Sequence, residues 1–63
     1  MKLINLLNVL DVDSKIYILH KYKELYNGYS GELDLNKFDS IILESEIKSV
    51  WYSNTMNRIV IEC

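Results

Sequence analysis

The side chains able to do chemistry are few and scattered. His20 is the only histidine and Cys63 the only cysteine, and they stand far apart in the sequence. Neither fits a structural zinc spacing. No serine or cysteine nucleophile sits at a recognisable elbow to pair with His20, and Cys63 as a nucleophile would need a neighbouring base and a geometry that a frayed terminus does not hold. Asp11-Val12-Asp13 opens like a calcium loop. That loop needs an oxygen ligand at its fifth position and glycine at its sixth, where this chain has Lys15 and Ile16. The segment therefore reads as a helix-stopping turn. Glu44 and Glu46 lie two apart, but a general acid–base pair needs a cleft. A chain this short can hardly enclose the ~300 Å³ of a small pocket. Gly28 and Gly31 precede no Gly-Lys-Ser/Thr, so there is no phosphate loop. The sequence predicts no catalytic residue, no metal site and no cofactor.

Aromatic side chains are the other resource. Tyr17, Tyr22, Tyr26, Tyr29, Trp51 and Tyr52 serve a core and suit strands, and Tyr and Trp are also favoured anchors of protein interfaces. Stacking on single-stranded nucleic acid would need a basic groove beside them. With 7 Lys+Arg against 9 Asp+Glu, mixed along the chain, the net charge is −2 and no basic stripe exists. Direct nucleic-acid binding is not expected. Leu3-Ile4-Asn5-Leu6-Leu7 matches a Leu-x-x-Leu-Leu docking pattern, but those leucines are what a helix packed on a sheet requires.

The elements that position these residues follow from length and periodicity. Sixty-three residues make a single domain, 1–63. A core this small seldom supplies more than ~3–5 kcal/mol without a disulfide, metal or partner, and one cysteine allows no internal disulfide. Apolar content of 49% with 25% charged residues is ordinary globular composition. No apolar run reaches the ~20 residues of a membrane span, and Asn5 and Asn8 break the only stretch resembling a signal. The expected location is the cytoplasm of a bacterial host, without membrane contact.

Leu3, Leu6, Leu7 and Leu10 recur at helical spacing and predict a helix over residues 2–10. Residues 15–21 alternate as a strand, with a polar connection at 22–24 and a return strand over 25–30. Gly28 suggests a bulge or a close approach there. Residues 33–43 read as one second helix carrying Leu35, Phe38 and Ile42, capped by Asp34 or Asn36. Residues 47–53 and 58–62 form a second hairpin around a 54–57 turn. The expected fold is α+β, a two-layer domain in helix–hairpin–helix–hairpin order. Its antiparallel sheet has up to four strands, with both helices on one face. Leu3, Leu6, Leu7, Leu10, Ile16, Ile18, Phe38, Ile59 and Ile61 are the predicted core.

With both helices on one face, the other sheet face is bare. If Ile16 and Ile18 turn inward, Tyr17 and Leu19 turn outward, and either Trp51 or Tyr52 must join them, because neighbours in a strand point oppositely. Tyr17, Leu19, Trp51 and Tyr52 are thus the candidate partner-binding residues. Their partner is a protein, either a host effector or a second copy of the chain.

Asn 6, Ile 8, Lys 6 and Tyr 5, with no Ala, Pro or Gln, indicate an A/T-rich coding sequence. The opening Lys2–Leu7, the Asp11–Ile18 passage, Leu25-Tyr26-Asn27-Gly28 and Ile59-Val60-Ile61 together resemble small phage and prophage accessory proteins of low-GC Gram-positive bacteria. That resemblance implies a non-enzymatic inhibitor of anti-CRISPR or anti-defence type, acting on a host protein such as a CRISPR effector. A self-associating structural or regulatory module is the alternative, and an enzyme or nucleotide-binding protein stands last.

Overall fold

A computed structural model describes residues 1–63. Helix α1 (Leu3–Val9) leads into strands β1 (Lys15–His20) and β2 (Lys23–Tyr29); helix α2 (Ser40–Leu43) then precedes β3 (Ser49–Ser53) and β4 (Arg58–Glu62). The sheet order is β2-β1-β4-β3. Each hairpin is antiparallel, but the two are joined through a parallel β1–β4 pair, so the sheet is mixed rather than antiparallel throughout. The cause is the connection through residues 30–48. It is long enough, and helical enough, to cross the sheet and set β3 running parallel to β2. The strands with the most apolar inward faces then take the centre, where coverage is best.

Ile16 and Ile18 of β1 lie level with Ile59 and Ile61 of β4. Leu3 and Leu7 seal this patch from above, and Leu3, Ile16, Ile18 and Ile61 are fully buried. Leu6, Leu10, Phe38 and Ile59 pack against the cluster while keeping partial exposure. The first residues are stitched down by backbone bonds, Leu3 N–H to Ser45 O at 2.9 Å and Ile47 N–H to Met1 O at 2.9 Å. Lys2 Nζ reaches Glu44 at 2.6 Å.

The expected second helix is divided. Asp34 caps a short 3₁₀ turn (Leu35–Lys37) by accepting from Asn36 N–H, and Asp39 caps α2 by accepting from Ile41 N–H. Phe38 between them is extended. Two aspartates, each drawing the backbone into a local cap, outcompete one continuous helix. The first hairpin turns at Lys21 and Tyr22, both at positive φ (49° and 69°), which is the backbone of a two-residue hairpin turn. The bulge sits at Leu25, opposite Ile18 and Leu19, not at Gly28. Gly28 is instead closely approached by Tyr26 Oη, 3.1 Å from where a Cβ would stand. At Gly31 a Cβ would lie 2.7 Å from Val12 Cβ, and its N–H bonds Val12 O at 2.9 Å.

Candidate protein-binding face

The register places one row of side chains straight across the uncovered sheet face. Asn27 pairs with Tyr17, Tyr17 with Val60, and Val60 with Trp51. Val60 is only 1% exposed although no helix lies over it. Tyr17 and Trp51 flank it on the same face from the two neighbouring strands. Trp51, rather than Tyr52, therefore joins Tyr17 and Leu19. Tyr52 is level with Ile59 on the helix side and donates its hydroxyl proton to Asn57 Oδ1, so the structure separates it from the other three candidates.

Polar rows flank the apolar one. On one side, Lys15 packs its ammonium 5.8 Å from the Tyr29 ring, and Arg58 Nη1 donates across β1 to Asn27 Oδ1. On the other side, Glu62 accepts from Ser49 Oγ at 2.5 Å and Trp51 Nε1 at 3.2 Å. The Ser49 hydroxyl, then the Trp51 indole, hold the Glu62 carboxyl below its ordinary range. The bond to Glu62 also fixes the tilt of the Trp51 ring. Partial burial, then the Glu24 carboxylate, push the Tyr17 phenol up, so it stays a neutral donor. An apolar centre inside a hydrogen-bonding rim is the anatomy of a protein-binding patch.

Val60, Glu62 and Ser49 escaped the sequence reading. The alternation Arg58/Val60/Glu62 against Ile59/Ile61 carries that signal, but its meaning depends on which strands flank β4.

The remaining candidates assemble no reactive site. The terminus is packed rather than frayed: Cys63 is buried, with its Sγ 3.7 Å from His20 Nδ1 and 3.6 Å from Leu19 O. Burial pushes this thiol up, away from the reactive thiolate. No three His, Cys, Asp or Glu side chains gather to hold a metal ion. No helix is long and apolar enough to cross a membrane.

The peptidase inhibitor I9 family model matches residues 5–58. The chain belongs to this family. The match runs from α1 to the first residue of β4, so this I9 domain holds most of its fold within the family's span. No curated protein and no solved structure matches the chain. The I9 assignment carries no link to phage or anti-CRISPR proteins.

Proposed function

We propose that this I9 domain inhibits a peptidase by seating its open sheet face on the peptidase surface. The observation that carries the reading is the Tyr17–Val60–Trp51 row, an apolar strip with hydrogen-bonding groups on both flanks, in a chain of a peptidase-inhibitor family. Tyr17, Leu19 and Trp51 are the proposed contacts. Tyr and Trp bury large area with few rotatable bonds, which limits the entropy lost on docking. An inhibitory family also favours binding over catalysis, in keeping with a chain whose histidine and cysteine form no activated pair. The narrower reading, a mobile-element protein acting on a host defence effector, draws no support from the I9 family.

The test is inhibition of purified peptidases of each catalytic class, followed by cleavage of a fluorogenic substrate. The expected result is saturable inhibition within one class, at one domain per enzyme. Undiminished cleavage in every class at about 100 µM domain, a concentration at which even weak interfaces fill, contradicts it.

A further inference from the structure

The two edges of the sheet are built differently. Edge strand β2 carries Lys23 and Glu24, a bulge at Leu25 and Gly28, the devices that keep a sheet edge from recruiting another strand. Edge strand β3 has none of them. Its sequence, Ser49-Val50-Trp51-Tyr52-Ser53, contains no charge and no proline. Val50, Trp51 and Tyr52 are 48%, 48% and 54% exposed, so neither helix reaches over this edge.

The strand is also nearly palindromic about Trp51. Antiparallel pairing of two copies about that residue would put Trp51 opposite Trp51, Val50 opposite Tyr52, and Ser49 opposite Ser53. An aromatic residue facing a β-branched one is a favourable cross-strand pair, and no like charges meet. The same strand serves both sides, as a two-fold axis requires. We infer that β3 is a self-pairing edge, at which two copies of the chain join their sheets into one eight-stranded sheet. Five residues per strand bury less than the ~1,200 Å² of a standard interface, which places this dimer among the weak, transient contacts.

Sedimentation equilibrium of the whole chain from about 10 µM to 1 mM tests this, with emission of Trp51, the only tryptophan, read at each concentration. The expected result is a reversible monomer–dimer equilibrium with a blue shift of Trp51 emission as dimer forms. Val50 lies on the helix side, outside the proposed peptidase face. Val50→Lys, and separately Tyr52→Lys, are expected to weaken the dimer at least about tenfold while each keeps a cooperative melt, Tyr52→Lys at a lower midpoint because it also removes the hydroxyl bond to Asn57. A chain that stays monomeric at about 1 mM overturns the inference. So does a dimer that survives both lysine substitutions, or one that is lost only on Tyr17→Ala, which would place the contact on the open face. No peptidase enters the experiment, so its failure leaves the inhibitor reading untouched.

Discussion

Val60 and Ile61 are neighbours on β4, nearly equally buried at 1% and 0% exposed, yet they are buried by different means. Ile61 lies under Leu3 and Leu7, side chains of an element that exists to cover it. Val60 faces away from the helices and is flanked across the strands by Tyr17 and Trp51, which themselves stay partly in water. One face of the sheet is closed by the fold. The other carries two flanking aromatic rings whose outer surfaces remain free for a partner. A domain with eight buried residues out of 63 has little stability to spare, so apolar area left open on one face points to use rather than accident.

The largest expected effect lies on the closed face. Leu7→Ala removes a side chain that seals the Ile16/Ile18/Ile61 patch and should cost about 2–5 kcal/mol, comparable with the whole stability of so small a domain. Thermal or urea melts check this, and a full cooperative transition at the wild-type midpoint would show that α1 is not packed as described. Val60→Ala should cost less, about 1–2 kcal/mol, because the flanking aromatic rings can settle into the space while the helical layer, held by its backbone bonds, cannot. A loss equal to that of Leu7→Ala would erase the distinction between the faces.

A smaller effect concerns pH. The folded-state pKa of Glu62 lies below its ordinary 4.5. Its contribution to stability is therefore complete above the unfolded value and is lost as the pH falls through the folded one. Glu62→Gln should flatten part of the acid-side decline in stability and loosen the Trp51 ring, seen as a red shift of emission near neutral pH. Glu46, also held low by the Met1 ammonium, keeps some of the slope in that variant. An unchanged acid limb and unchanged emission would show that the carboxylate does not position the indole.

Much of the closed face was legible in the sequence. The Leu3/Leu7 spacing, the Ile16/Ile18 alternation and the bounds of β4 depend on local pattern, and local pattern survives into the structure. The helix at 33–43 failed because Asp34 and Asp39 act as caps, and the apolar spacing of Leu35, Phe38 and Ile42 does not register that competition. The hairpin turn at Lys21-Tyr22 carries no Gly or Asn to announce its positive φ. The parallel β1–β4 pairing was beyond local pattern altogether, and its one clue was the length of the connection between β2 and β3. The choice between Trp51 and Tyr52 followed from the register of β3 on β4, which alternation along β3 alone leaves open.

The central claim is that the open face, and not the rest of the exposed apolar surface, holds the peptidase. Ile41 on α2 is 76% exposed and supplies the control. The measurement is the inhibition constant of Tyr17→Ala, Trp51→Ala and Ile41→Ala against the peptidase that the wild-type domain inhibits, each variant first shown to keep a cooperative melt. Tyr17→Ala and Trp51→Ala should each lose at least ~2 kcal/mol of binding, about thirtyfold in affinity, while Ile41→Ala stays within about twofold of wild type. Wild-type inhibition by both aromatic variants, or a loss confined to Ile41→Ala, would contradict the account.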